Sequence, residues 1–514
     1  MGYSDPRLHL RAKCQYPGTM SSNPSRRDPY DALPYVSMPI TYSQPALLAA
    51  QARLRGIDAP AAETASVLEI GAASGGNIIP LAARFPHARF HGVDLAAAHI
   101  EIGQRRIDEL DLSNVTLEQG DIVDADFGER RFDYIICHGV FSWAPPEAQR
   151  AILKVCAETL ADTGVAAISY NVFPGWHARN VIRDICLEHT RDGGPPRKQV
   201  EAVRALLKDV AEVSSGKDPY GAIIRSEAAR LSTRPASYIL GELLAVYNQP
   251  FHVRDIIAQA AAHGLAYLCE ADLMSSAPEH VAPAAALRIR ASAGNDPVAV
   301  EQYTDIFSGR TFRRSLLTRA DCRPQSPSPQ RLLPLHITAN ARAQTTDAAS
   351  DPVVATVHAA LAEKYPGSVA VADLVTVARD GQGAEADVLN ALYDLLARGR
   401  ASVSTTPVAV GQDDQQRPDL WRVARADAAT GQPWVTNLLH APVLLSPLLR
   451  VLAPLMKGDT TRDQLAVALE EALRSGALAE TDLPRIENGG AANRLATTVD
   501  RLVAHCARNA LLAP

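Results

Sequence analysis

The cysteines of this chain show no pairing pattern. Cys14, Cys137, Cys156, Cys186, Cys269, Cys322 and Cys506 are odd in number and widely spaced, with no C-x-x-C. That argues against a disulfide framework and against a zinc site, and it points to a reducing cytosol and a cytoplasmic location. No run of about 18 apolar residues occurs, so no membrane span is expected. The N-terminus lacks the continuous apolar core of a signal peptide. An excess of positive charge is also missing: 51 Lys and Arg face 57 Asp and Glu, a net charge of −6. A nucleic-acid partner would need a basic face to release counterions, so none is expected. Aromatic residues make up only 5% of the chain, so any place where they crowd is informative. There is no internal repeat.

The 514 residues exceed one hydrophobic core, and chain length suggests about three or four domains. Residues 1–28 are interrupted by Pro6, Pro17 and Pro24 and read as a disordered tail, with Met20 the expected natural start. From about 66 to 190, apolar runs at 66–70, 89–94, 115–119, 133–138 and 165–170 alternate with helical patterns at 77–85, 96–110, 147–161 and 178–189. Such alternation predicts βαβ units, an α/β fold and a mostly parallel sheet, with ligands outside the carboxyl ends of the strands. Residues 196–321 read as mainly helical, with a strand at 312–318, and 322–350 as mostly linker. Residues 351–514 read as a C-terminal module: helices, then strands at Ala401–Thr405 and Leu420–Ala424 that suggest a winged-helix-like unit, then helices at 441–456, 461–474 and 490–511. Arg310, Arg313 and Arg314 form a small basic cluster, expected to be a solvated strand face.

One stretch stands out. Val67-Leu68-Glu69-Ile70 reads as a buried strand, Gly71-Ala72-Ala73-Ser74-Gly75-Gly76-Asn77 as a small-residue turn, and Ile78, Leu81, Ala82 and Phe85 follow at helical spacing. Small residues let a backbone approach a ligand closely. The dinucleotide fingerprint G-x-G-x-x-G is not met, because Ala73 stands at its second glycine, where a pyrophosphate would meet the backbone. A nicotinamide dehydrogenase is thereby disfavoured. Asp94 closes the second strand eighteen residues after Gly76, where an acid can accept from both ribose hydroxyls. Gly120-Asp121-Ile122 follows the third strand. Each of these acids also has a structural explanation: Glu69 as a helix-cap partner, Asp94 as a turn residue, Asp121 as an Asx turn.

The segment Glu69–Gly76 resembles motif I of class I S-adenosylmethionine-dependent methyltransferases. Further stretches are similar to the bacterial methyltransferases that carry a methyltransferase regulatory domain, a group that includes the rickettsial protein lysine methyltransferases acting on outer-membrane proteins. These stretches are Tyr30-Asp31-Ala32-Leu33-Pro34-Tyr35, Cys137-His138-Gly139-Val140-Phe141-Ser142-Trp143, Ser169-Tyr170-Asn171-Val172-Phe173-Pro174-Gly175-Trp176-His177, Tyr247-Asn248-Gln249-Pro250-Phe251, His263–Leu268 and Glu270-Ala271-Asp272-Leu273. The resemblance covers roughly residues 29–320. It implies a Rossmann-like methyltransferase domain at 29–195, a helical regulatory or dimerisation domain at 196–321 that would make a homodimer, and S-adenosylmethionine as cofactor. It implies cofactor contacts from Glu69, Gly71, Ala72, Gly75, Gly76, Asn77, Asp94, Leu95, Asp121, Ile122 and His138, with Asp121 on the adenine amino group and Ile122 on the ring.

Methyl transfer from a sulfonium is an in-line displacement, so positioning is the main demand. A cationic methyl is favoured by aromatic faces, and Tyr30, Tyr35, Trp143, Tyr170 and Trp176 supply them near the strand ends, with Asn171 a further candidate for the acceptor pocket. His138 and Tyr170 are the candidate catalytic residues; His138 is open to roles as a base, as an orienting group or as a cofactor contact. Asn171 can bond an acceptor or brace the Pro174-Gly175 turn. The expected function is a methyltransferase acting on a protein acceptor such as lysine. A small-molecule O- or N-methyltransferase and a non-catalytic S-adenosylmethionine-binding scaffold are the alternatives, and no metal is expected.

Overall fold

The computed structural model describes residues 37–340, 352–380, 383–484 and 491–514. The expected tail at 1–28, Met20, Tyr30 and Tyr35 lie outside them. After helix α1 (Pro45–Leu54), the chain alternates β1 (Ser66–Ile70), α2 (Ile78–Arg84), β2 (Arg89–Asp94), α3 (Ala97–Glu109), β3 (Val115–Gln119), β4 (Phe132–Cys137), α4 (Pro146–Thr159) and β5 (Leu160–Asn171). These five strands are parallel and form most of a seven-stranded sheet in the order β3-β2-β1-β4-β5-β7-β6. Successive residues of each central strand enter opposite cores. Val67, Tyr134 and Ile136 point to one face and Leu68, Ile135 and Cys137 to the other. Strands buried on both sides explain the continuous apolar runs. Asp133, the second residue of β4, accepts from the backbone N–H of Ser66 at 2.8 Å and ties the start of β4 to β1.

The chain runs outward in one direction from β1 to β3 and in the other from β4 to β5. The carboxyl ends of β1 and β4 therefore flank the switch point where such sheets bind ligands.

The middle region is helical at α5 (Trp176–His189), α6 (Pro196–Val213), α7 (Pro219–Ser232), α8 (Val253–Ala262), α9 (Ala286–Ala293) and α10 (Pro297–Ser308). It also returns two strands to the main sheet, β6 (Leu265–Glu270) and β7 (Phe312–Arg319). The second agrees with the strand expected at 312–318. The first carries no clear alternation, and its place is set by antiparallel pairing with β7 rather than by local pattern. Arg313 is not on a solvated face. It is 1% exposed and pairs with Glu270, Glu301 and Asp305, each at 2.9 Å, which ties α10 to the sheet edge. Register with β5 turns alternate β7 residues inward, and a buried guanidinium then requires this carboxylate shell.

Part of the expected linker is structured. β8 (His336–Ala339) joins β9 (Val369–Ala370) and β10 (Ala401–Ser404) in a three-stranded sheet against α11 (Pro352–Lys364), α12 (Val371–Asp380) and α13 (Glu385–Ala397). The strand expected at Leu420–Ala424 instead leads into helix α14 (Arg422–Ala429), whose buried Val423, Ala424, Asp427 and Ala428 recur at helical spacing. The helix expected at 441–456 starts later, because β12 (Pro442–Leu444) first pairs with β11 (Trp434–Thr436) in a hairpin. Ser446 then caps α15 (Pro447–Leu452), accepting from the backbone N–H of Leu449. Helices α16 (Arg462–Arg474) and α17 (Ala491–Arg508) complete this end. Among the described residues, no helix is long and apolar enough to cross a membrane.

Candidate active site

The turn after β1 is shaped by two close approaches. Gly71 has φ +75°, and a Cβ there would lie 2.3 Å from the Val140 side chain in the loop after β4. Gly76 has its own N–H bonded to Ser37 Oγ at 2.7 Å. A Cβ on Gly76 would meet the backbone of Ser37 at 2.4 Å, so only glycine lets residue 37 cross the turn. Ala73 sits in the left-handed region at φ +46°. Its N–H donates to Asp94 Oδ2 at 2.7 Å, a charge-assisted bond that offsets the backbone cost.

Asp94 closes β2 beside this turn. Its Oδ1 accepts from the N–H of Ala96 at 3.0 Å and lies 3.3 Å from His99 Nδ1. The carboxylate therefore organises the turn and the start of α3 while remaining partly exposed at the strand end. Asp121 is exposed after β3 and accepts from the N–H of Val123 at 3.0 Å; Ile122 packs behind it. Leu95 is 57% exposed, a large apolar side chain open at the crevice edge.

Glu69 is 3% exposed, and its Oε1 accepts from Asn77 Nδ2 at 2.8 Å. Its Oε2 is buried without a hydrogen-bond partner. Burial pushes its pKa up to about 8, against the opposing effect of the Asn77 bond and with a smaller contribution from Asp94. A buried carboxylate with one oxygen unmatched fits a cationic ligand group. Asn77, expected to touch the cofactor, is instead 2% exposed and spends its amide on protein groups. Its Oδ1 accepts from Ile40 N–H at 2.9 Å and its Nδ2 serves Glu69, so it acts as a strut.

His138 directly follows β4 and is partly exposed at the crevice. Burial, reinforced by the charge of Arg314, holds its pKa down to about 4, so the ring is neutral at pH 7. Its Nδ1 lies 2.7 Å from the Tyr42 hydroxyl. Burial raises the Tyr42 phenol far above its ordinary range, so Tyr42 keeps its proton. Behind it, Ser169 Oγ accepts from Gly139 N–H at 2.8 Å. With the Tyr42 proton donated to Nδ1, His138 is the tautomer that carries hydrogen on Nε2. Arg314 lies over the Tyr42 ring at 5.2 Å, and Phe312 meets His138 edge-on at 5.9 Å.

Trp143, in the loop after β4, and Trp176, after β5, meet edge to face at 6.0 Å. The Trp176 indole N–H is buried without a partner, and Arg179 covers the ring at 4.8 Å. Two other expected pocket residues are placed elsewhere. Tyr170 is 1% exposed, packed against Phe141 and Phe251, with its hydroxyl 2.8 Å from Ser315 Oγ. Register with β7 turns it into the core, which corrects its expected catalytic and pocket-wall roles. Asn171 is 2% exposed. It bonds Ser142 Oγ through its backbone N–H at 2.8 Å and Asn248 Oδ1 through its side chain at 3.1 Å, so it braces two loops rather than the Pro174-Gly175 turn.

Sequence reasoning did not find Ser37, Tyr42, Ser169, Arg314 or His440. Ser169 was noticed only within a motif and Arg314 only within a charge cluster. The others carry no local signal. His440 stands alone in the C-terminal region, yet its Nε2 lies 2.7 Å from Asn77 Oδ1.

Comparison with known proteins agrees with this geometry. Residues 67–164 match a family model described as a methyltransferase domain, and residues 235–319 one described as a predicted methyltransferase regulatory domain. Residues 416–511 match a PKMT C-terminal winged helix domain. The uncharacterized protein RP789 of Rickettsia prowazekii (strain Madrid E) is 36% identical over 295 residues, 57% of this chain; the match spans about half of RP789, 53% of its length. The uncharacterized protein RP028 of the same organism is 35% identical over 232 residues, 45% of this chain and 93% of RP028. The structure of PKMT2 from Rickettsia typhi in complex with AdoHcy superposes with a TM-score of 0.80 at 25% identity, covering 93% of this chain and 100% of that one. A cradle that leaves an unmatched Glu69 oxygen and a partly exposed Asp94 carboxylate at the first crossover of a 3-2-1-4-5-7-6 sheet thus coincides with family matches in all three parts of the molecule. The chain belongs to the class I S-adenosylmethionine-dependent methyltransferases that carry a methyltransferase regulatory domain.

Proposed function

We propose that this protein methylates a protein acceptor, with a lysine side chain as the first candidate, and that it works in the cytoplasm. The observation that supports it most is the likeness along the whole length of PKMT2, appended domains included, at a TM-score of 0.80. In this reading Asp94 accepts from the ribose hydroxyls, Asp121 and Ile122 receive the adenine, and Glu69 Oε2 receives the amino-acid ammonium. Bound S-adenosylmethionine supplies a methyl group already activated on a sulfonium. The chain's own residues then hold the two reactants in line and exclude water.

His138 does not act as a base toward an ammonium. With its pKa near 4 it cannot hold a proton taken from a lysine, whose ordinary pKa is about 10.4. It presents Nε2–H instead, a donor for a carbonyl oxygen of the acceptor rather than for the amine, whose single lone pair must face the methyl. The lysine proton leaves to solvent before transfer, helped by desolvation against the Trp143–Trp176 pair. The test is incubation of purified protein with methyl-labelled cofactor and a cell lysate, followed by peptide mass spectrometry. Label on lysine of polypeptides is expected. Label confined to small metabolites would overturn the protein-acceptor reading.

A further inference from the structure

The turn joining β11 to β12 reaches out of the C-terminal domain and lands on the cofactor cradle. Residues 437–441 form a tight turn, with Asn437 N–H on Ala441 O at 3.0 Å and Ala441 N–H on Asn437 Oδ1 at 2.8 Å. At its tip His440 adopts φ +55° and is 2% exposed. Its carbonyl accepts from Thr41 Oγ at 3.1 Å, and the neighbouring Leu439 carbonyl accepts from Gln44 Nε2 at 3.1 Å. Its ring reaches Asn77 Oδ1 at 2.7 Å, across 363 residues of sequence.

The direction of each bond in this contact can be assigned. Ile40 N–H can only donate, so the Asn77 atom 2.9 Å from it is the oxygen. The other Asn77 atom is then the amide nitrogen, and it donates to Glu69 Oε1 at 2.8 Å. Burial and the charges of Arg84 and Arg106 hold the His440 pKa down to about 3, so its ring is neutral. With Asn77 Oδ1 an acceptor, His440 Nε2 must carry the proton. The relay runs His440 Nε2–H to Asn77 Oδ1, then Asn77 Nδ2–H to Glu69 Oε1. Its far end is the carboxylate whose Oε2 is unmatched.

We propose that His440 is a positioning residue for the cofactor, acting through Asn77 to hold Glu69, so that docking of the C-terminal hairpin sets the affinity of the cofactor cradle. The proposal rests on the reading that this crevice holds S-adenosylmethionine. It gives the C-terminal domain a task in cofactor binding rather than in acceptor choice alone. It also separates His440 from the other contacts of this seam, such as Arg422 on the Leu110 carbonyl at 3.3 Å, which do not touch the relay.

The test is isothermal titration of the full chain with S-adenosylhomocysteine, in two buffers of different ionisation enthalpy, so that affinity and proton release are both read. His440→Gly removes the ring while suiting the positive φ. His440→Gln restores an N–H donor of similar reach, and Arg422→Ala loosens the seam elsewhere. Losing one buried hydrogen bond in the relay predicts a Kd about tenfold higher for His440→Gly. It also predicts more protons released per bound ligand at pH 8, because the Asn77 amide that stabilises the charged form of Glu69 is then held only by Ile40 N–H and by Ser43 Oγ at 3.1 Å. His440→Gln is expected within about threefold of wild type, and Arg422→Ala unchanged. Wild-type affinity and proton count in His440→Gly would overturn the proposal. So would an equal loss in Arg422→Ala, or no recovery in His440→Gln, since either assigns the effect to docking in general. Absence of binding by the wild type would remove the cofactor reading itself, and the proposal with it.

Discussion

In the proposed reading, with Glu69 receiving the cofactor ammonium, cofactor binding is a proton-linked event. In the free protein burial holds this carboxyl at about 8, with Asn77 as its hydrogen-bonding partner. At pH 7 about nine in ten molecules therefore carry a proton on Glu69. An ammonium at Oε2 needs the carboxylate, so binding must expel that proton. The sign follows directly: affinity rises with pH from the acid side and levels off above 8. One pKa unit corresponds to about 1.4 kcal/mol, so binding at pH 7 is expected to be about tenfold weaker than at the plateau. His138 and His440 do not titrate in this window, because they are held at about 4 and about 3. Calorimetry with S-adenosylhomocysteine in two buffers at pH 7 should register about 0.9 proton released, falling to about 0.5 at pH 8. Glu69→Gln should abolish the release and weaken binding at every pH. Buffer-independent heats in the wild type, or an unchanged proton count in Glu69→Gln, would refute the assignment of Glu69 to the cofactor ammonium.

Three further outcomes are expected. Asp94→Ala should raise the Kd for S-adenosylhomocysteine about a hundredfold or more, since a charged acceptor is lost from both the ribose and the Ala73 turn; unchanged affinity would remove Asp94 from the site. Gly76→Ala forces a Cβ against the Ser37 backbone at 2.4 Å. A cost of about 1–3 kcal/mol should appear as a lower midpoint in thermal denaturation. His138→Ala and Tyr42→Phe should each lower kcat with little change in cofactor affinity, because one removes the Nε2–H and the other frees its tautomer. Wild-type turnover in His138→Ala would make the imidazole structural.

The sheet was legible in the sequence because its information is local. Strands β1 to β3 fall where apolar runs and their flanking helical periods put them, and a strand buried on both faces writes itself as a short apolar block. Asp94 and Glu69 stood out for a related reason: each is a polar residue at the carboxyl end of such a block. What was not legible depended on pairing. Strand β6 owes its place to β7, and Arg313 reads as surface charge until Glu270, Glu301 and Asp305 are brought around it from other elements. Tyr170 was misread for the same reason, since alternation alone does not say which face of β5 meets the crevice and which meets Phe141 and Phe251.

The same distinction governs the chemistry of the site. Motif residues state which groups a ligand can touch, but the protonation and orientation of those groups are set by residues far away in the chain. Tyr42 fixes the His138 tautomer from 96 positions upstream, and His440 braces the partner of Glu69 from 363 positions downstream. Neither belongs to a motif, because each needs only one donor at one point in space, and many local sequences can supply that. The cradle's charge state is therefore a property of the assembled molecule: a fragment that stops before the C-terminal hairpin would keep every motif residue and lose one of the three donors on Asn77 Oδ1, leaving Ile40 N–H and Ser43 Oγ. The hairpin also brings Leu438 into the core that holds Val67, Ile78 and Leu81, so the same docking that adds a donor to Asn77 covers one face of the sheet.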